Sequence, residues 1–114
     1  MHEFFIVQNL LKTVEDYVRE YNAKKVSKLV LLIGKFSGVE PDLLQSALEF
    51  FKKGTVLENA KIIIEIEDFK VKCLDCGKEF SKGKWDLSCP YCGSLNTQVV
   101  SGEELILKSL ELED

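Results

Sequence analysis

Two short segments constrain this chain more than anything else in it: Cys73-Leu74-Asp75-Cys76-Gly77 and Cys89-Pro90-Tyr91-Cys92-Gly93. Each is a C-x2-C-G unit, and twelve residues, Gly77 to Ser88, separate Cys76 from Cys89. A two-residue spacer lets both sulfurs of a pair face one ion. The following glycine relieves a tight knuckle turn whose backbone N–H groups can donate to thiolate sulfur. Two knuckles brought together make a tetrahedral S4 shell, a set that zinc favours and that leaves no open coordination position. Iron in a rubredoxin-like site satisfies the same geometry, so spacing alone does not separate the two metals. Two disulfides or a redox C-x2-C site fit less well, because the chain shows neither a secretion signal nor a thioredoxin-like surround. The segment between the knuckles carries only Phe80, Trp85 and Leu87 as large apolar residues. Metal ligation must therefore supply most of its folding free energy. Phe80 and Trp85 are expected to cover the knuckles or their neighbours.

Outside this module the chain has the patterning of an ordinary core, and 46% hydrophobic content over 114 residues is enough to fill one. Ile6, Val7, Leu10, Leu11, Val14, Tyr17, Val18 and Tyr21 recur at helical spacing, which predicts a helix over residues 4–21. Val26–Ile33 is a short, branched, leucine-rich run ended by Gly34, consistent with a largely buried strand. A second helix starts at Pro41, whose missing N–H costs nothing at the first helical position. Its stripe is Leu44, Ala47, Leu48 and Phe51, with Gly54 placed for a left-handed cap. Ala60–Phe69 reads as a half-buried strand with Ile62, Ile64 and Ile66 on one face. In the terminal run, Leu105 and Leu107 have the opposite parity to Leu110 and Leu112. A bulge near Lys108-Ser109 would reconcile them, or one half lies in a different environment. The order is helix, strand, helix, strand, cysteine module, strand, and the second helix can serve as a right-handed parallel crossover. Both helices are then expected to cover one face of a small three-stranded sheet.

The chain has a single histidine, His2, and all four cysteines belong to the knuckles. No Ser-His-Asp or Cys-His arrangement can be assembled from that inventory, and nothing places Glu40, Asp42 or Glu65 around a substrate, so an enzyme is not expected. His2 offers a different chemistry. A bulky second residue disfavours removal of Met1, so the Met1 amine, the His2 amide and the His2 imidazole would be gathered at one spot. Amine, deprotonated amide and imidazole suit a square-planar ion such as Ni(II) or Cu(II), with Glu3 able to support the imidazole or a fourth ligand. A plain solvent-exposed histidine is the competing reading. The net charge of −4 argues against nucleic acid, although Lys70, Lys72, Lys78, Lys82 and Lys84 form a local patch. A zinc-ribbon adaptor that binds protein or nucleic acid without nickel is the alternative built on that patch. No apolar run is long enough to span a membrane. The start MHEFFIV does not read as a signal peptide, which suggests a cytoplasmic protein.

Met1-His2-Glu3, Ser37-Gly38-Val39-Glu40-Pro41, the two C-x2-C-G knuckles and the terminal Leu107-Lys108-Ser109-Leu110-Glu111 occur together and in order. In that combination the chain resembles the HypA/HybF nickel metallochaperones of [NiFe]-hydrogenase maturation. The resemblance implies an α+β fold: two helices against a small three-stranded mixed sheet, with a rubredoxin-like zinc ribbon inserted before the last strand. Residues 1–69 plus 101–114 would form the nickel-binding domain and residues 70–100 the ribbon. It implies transient nickel at Met1, His2 and Glu3, and structural zinc at Cys73, Cys76, Cys89 and Cys92. The implied partners are a nickel-binding GTPase maturation factor and the hydrogenase large subunit, with urease accessory proteins for some members; both monomers and homodimers occur. Phe5 departs from the small polar residue that many members carry there. The ribbon also lacks the histidines that some relatives place beside their knuckles.

Overall fold

The computed structural model describes residues 2–114, with the backbone alone described at His2. Helix α1 (His2–Glu20) lays Val7, Leu10, Val14 and Val18 against the core. The chain then turns through Asn22, at φ 56°, into strand β1 (Lys25–Gly34). Helix α2 (Pro41–Phe51) begins with Pro41 at its first turn, as the sequence predicts, and buries Leu44 and Leu48. It ends with a right-handed Lys52 whose N–H donates to the Leu48 carbonyl. Gly54 does take a left-handed conformation (φ 76°), but one position later than a simple cap, and its N–H donates to the Glu58 carboxylate.

Strand β2 (Lys61–Glu67) runs parallel to β1, so α2 is the crossover the order requires. Ile62, Ile64 and Ile66 stand opposite Leu29, Leu31 and Ile33, all on the helix-covered face. Ile66 lies at the open end of that row and is 54% exposed. The predicted strand to Phe69 stops earlier. After Glu67 the chain leaves this sheet and resumes as β3 (Lys70–Cys73) in a second one, with β4 (Glu79–Phe80) and β5 (Thr97–Ser101) on either side in the order β4-β3-β5.

The chain returns to the first sheet as β6 (Leu105–Glu113), antiparallel to β1, giving the mixed order β2-β1-β6. Val30 faces Ser109 while Leu31 faces Leu107, so Lys108 is the extra residue of a bulge. Leu105, Leu107, Leu110 and Leu112 consequently all pack against one core, the first of the two outcomes that the parity break allows. Among the described residues no helix is long and apolar enough to cross a membrane.

The two sheets meet where the two linkers pass the end of β1. A Cβ on Gly34 would lie 2.3 Å from the Gly102 carbonyl carbon, and one on Gly102 would lie 2.5 Å from the Phe69 Cα. Glycine at both positions lets three backbones touch. Hydrogen bonds from Lys35 N–H to the Glu67 carbonyl and from Phe36 N–H to the Gly102 carbonyl, both 2.9 Å, tie them together. The Cα radius of gyration, 17.3 Å, exceeds the roughly 13 Å of a compact chain this long, because two small cores sit end to end.

Candidate metal centres

The ribbon brings the four cysteines to one point. Their sulfurs all lie within 4.8 Å of one another, with Cys73 Sγ to Cys92 Sγ at 3.6 Å and Cys76 Sγ to Cys89 Sγ at 3.7 Å. A tetrahedron with metal–sulfur bonds of about 2.3 Å has sulfur–sulfur edges of about 3.8 Å, so this donor set can close on a single zinc ion with small shifts. All four are free thiols.

Each knuckle is built the same way. Cys73 N–H donates to the Lys78 carbonyl and Gly77 N–H to the Cys73 carbonyl, both 2.9 Å; Cys89 and Gly93 repeat this with Ser94 and Cys89 as acceptors. Gly77 and Gly93 sit at φ 77° and 76°, a conformation that favours glycine over any other residue. The turns aim backbone donors at sulfur: Cys76 N–H reaches Cys73 Sγ and Tyr91 N–H reaches Cys89 Sγ, each at 3.4 Å.

Those donors divide the thiols. The Cys76 N–H draws the Cys73 thiol below its ordinary value, with burial opposing. Burial also opposes ionisation of Cys89, yet the Cys92 and Tyr91 N–H groups bring it down to about 6. Cys92 has the Ser94 N–H to lower it, but the facing Cys73 sulfur and burial push it up to about 12. Cys76 is raised too: the Lys78 N–H is outweighed by burial and the Cys73 and Cys89 sulfurs. Four sulfurs this close repel one another as thiolates. A bound divalent ion inverts that logic and deprotonates all four.

Asp75, between the first two cysteines, clamps the knuckles to each other. Its carboxylate accepts from the Ser94 hydroxyl and from Asn96 Nδ2, the latter at 3.1 Å, and Leu74 N–H donates to the Asn96 carbonyl at 2.9 Å. The Ser94 and Asn96 donors hold its carboxyl below the usual range. Nothing in the spacing marks Asp75 for this role, although a polar pair directly after the second knuckle is a usable signal. Phe80 is buried beside Cys73 and Cys89, as expected of a residue covering the knuckles. Trp85 is not over the metal site. It stacks on Phe69 at the junction (ring centroids 4.9 Å apart) and meets Phe36 edge-on at 6.0 Å.

At the other end, Met1 lies outside the described residues and His2 is the first residue of α1. Glu3, in the first turn, is only 9% exposed, a burial that sequence position does not foretell. Phe4 meets Phe51 edge-on at 5.1 Å, while Phe5 is 64% exposed, so this departure from the common family residue points largely outward. The lysine patch of the ribbon is partly engaged within the molecule: Lys82 pairs with Asp86 at 3.1 Å, and Lys78 lies over the Tyr91 ring.

A two-helix mixed sheet interrupted by a four-cysteine ribbon defines a small metal-binding α+β protein. The known proteins it matches narrow that class. The HypA family, described as hydrogenase/urease nickel incorporation, metallochaperone, matches residues 1–112. The hydrogenase maturation factor HypA of Aquifex aeolicus is 60% identical over 99% of this chain and 98% of its own length. That of Wolinella succinogenes is 43% identical over 99% and 96%. The solution structure of the Ni metallochaperone HypA from Helicobacter pylori superposes with a TM-score of 0.74 at 30% identity, covering 97% of each chain. The chain belongs to the HypA family of nickel metallochaperones for hydrogenase maturation. Members of that family carry a metal rather than transform a substrate.

Proposed function

We propose that this chain takes up one Ni(II) ion at its N-terminus, through the Met1 amine and the His2 amide and imidazole with Glu3 in support, and delivers it for assembly of a [NiFe]-hydrogenase. Cys73, Cys76, Cys89 and Cys92 hold a structural zinc ion. Residues 1–69 with 101–114 form the nickel-binding domain, and residues 70–100 form the ribbon. The observation that carries the reading is that α1 starts at His2 with Glu3 largely buried in its first turn. The first N–H groups of a helix have no intrahelical acceptor, so the amides here are available as ligands. The positive end of the helix dipole disfavours a cation, and a carboxylate in the first turn offsets it. Family membership supplies the identity of the cargo.

The two metal sites would differ in kind. A closed thiolate shell fixes geometry and retains its ion, whereas a nitrogen site at a chain end exchanges it with a competing set of ligands. The partners on this reading are a nickel-binding GTPase maturation factor and the hydrogenase large subunit, with urease accessory proteins as a second destination, all in the cytoplasm. Calorimetric titration of Ni(II) into untagged, zinc-loaded protein should give one nickel per chain. His2→Ala, or a peptide extension before Met1, should remove that binding and leave zinc in place. Undiminished nickel binding in both would overturn the assigned site.

A further inference from the structure

Glu3 opens the core-facing stripe of α1: it stands one turn before Val7, and the stripe continues through Leu10 and Val14, all buried. A carboxylate in that place is largely stripped of water, and unwinding the first turn would restore its hydration. The start of a helix is also where winding is weakest, because its first N–H groups have no intrahelical acceptor. Burial of Glu3 therefore works against the turn that carries it, and an apolar contact elsewhere on that turn must hold it wound.

Phe4 makes that contact. Its aromatic neighbours among the described residues are Phe5 and Phe51, both edge-on, with ring centroids 5.7 and 5.1 Å away. Phe5 is largely exposed and anchors nothing. Phe51 is the last residue of α2 and packs against the main core, to which Leu44 and Leu48 of the same helix belong. The end of α2 is fixed in turn: the Lys52 N–H donates to the Leu48 carbonyl at 2.9 Å, and the Lys52 ammonium pairs with Glu49 at 2.7 Å. The Phe51 ring is thus a fixed wall, and the first turn of α1 leans on it through Phe4.

We propose that Phe51 is a positioning residue for nickel: through Phe4 it keeps the first turn of α1 wound, with the Glu3 carboxylate and the terminal amides in the arrangement that takes the ion. The inference rests on the N-terminal site proposed above and adds to it a residue from the other helix. Winding and fraying are close to balanced at a helix end, and a frayed turn must be rewound before it binds, so apparent affinity follows the wound fraction. An edge-to-face aromatic contact shifts such a balance by roughly threefold to tenfold. The turn also reports on itself without nickel, because the Ile6 and Val7 N–H groups close it onto the His2 and Glu3 carbonyls.

Nickel titration calorimetry, amide exchange and urea unfolding of untagged, zinc-loaded variants provide the test. Phe4→Ala and Phe51→Ala should each weaken nickel binding roughly threefold to tenfold and speed exchange at Ile6 and Val7 in the nickel-free protein. The double variant should bind no more weakly than the weaker single one, because both changes remove the same contact. Phe51→Tyr, which keeps the ring, should bind as wild type does. Val18→Ala, at the far end of α1, should lower the urea midpoint and leave nickel affinity unchanged, which separates positioning from stability. Wild-type affinity in Phe51→Ala alongside lost binding in His2→Ala, or an equal weakening in Val18→Ala, overturns the positioning role alone. Nickel binding that survives His2→Ala overturns the terminal site instead.

Discussion

The α/β domain and the ribbon achieve order by different physics. Among the described residues the first gathers twelve buried apolar side chains from α1, α2, β1 and the loop around Leu57 into one cluster. The second cluster buries five, of which the ribbon itself supplies Val71, Cys73, Phe80 and Cys89. At about 25 cal/mol per Å² of buried apolar surface, the first cluster can offset the entropy of ordering its helices and sheet, whereas the second cannot. A ribbon of this kind depends on ligation. On the proposed reading, a single chain thus contains a region whose metal is part of its structure and a region that folds without one and so can give its metal away.

Removing zinc should separate the two regions most visibly. Structural zinc contributes on the order of 10 kcal/mol to small metal-dependent folds. Chelation, or Cys73→Ser, is therefore expected to unfold the ribbon while α1, α2 and the first sheet persist. Amide exchange resolved by segment would show protection lost in β3–β5 and kept in β1. Global loss of protection would mean the two cores are one cooperative unit.

The converse perturbation is smaller. Leu48→Ala empties a fully buried position under α2 and should cost about 3 kcal/mol by cavity formation, measured by urea denaturation, with zinc content unchanged. Gly34→Ala sharpens the comparison at the boundary itself. Its Cβ would meet the Gly102 backbone at 2.3 Å, so the linkers must move, at roughly 2 kcal/mol. The same change should loosen Trp85 from Phe69 and shift its fluorescence, whereas a purely local effect in β1 would leave Trp85 unaltered.

The smallest effect concerns Asp75. Its folded-state pKa is depressed, so its stabilising contacts are fully present above the unfolded value, near 4, and are lost as pH falls through the folded value. Wild type should exceed Asp75→Asn in thermal midpoint at pH 7, and the gap should close below about pH 4. A constant gap across that range would show that the clamp does not act through the carboxylate charge.

Much of this architecture is legible in the sequence because it is periodic. The stripes of α1 and α2 follow from spacing, as do the knuckles and their glycines, and the parallel β1–α2–β2 step and the bulge at Lys108 are among the arrangements that spacing allows. What is not legible is non-local. In the segment from Ile62 to Phe69, Asp68 falls on the face of Ile62, Ile64 and Ile66 and Phe69 on the other, but that parity break does not say that the chain changes sheets after Glu67 and that Phe69 joins a different core. Strand β5 is short and lacks clean alternation, with Val99 and Val100 adjacent. The contact between Gly34 and Gly102 joins residues far apart in the chain. Trp85 is legible as a residue that covers something, but only the fold assigns it to Phe69 and the junction. At the N-terminus, the residue types of Met1, His2 and Glu3 suggest the chemistry, while the burial of Glu3 emerges only with the fold.

On the proposed reading one metal is held open and the other closed. The most direct measurement is native mass spectrometry of untagged protein carrying one nickel and one zinc, challenged with increasing chelator while amide exchange follows the ribbon. Nickel should leave first with β3–β5 still protected, zinc should leave only as the ribbon unfolds, and His2→Ala should never acquire the nickel. Loss of both ions together, or nickel lodged among the four cysteines, would contradict that claim.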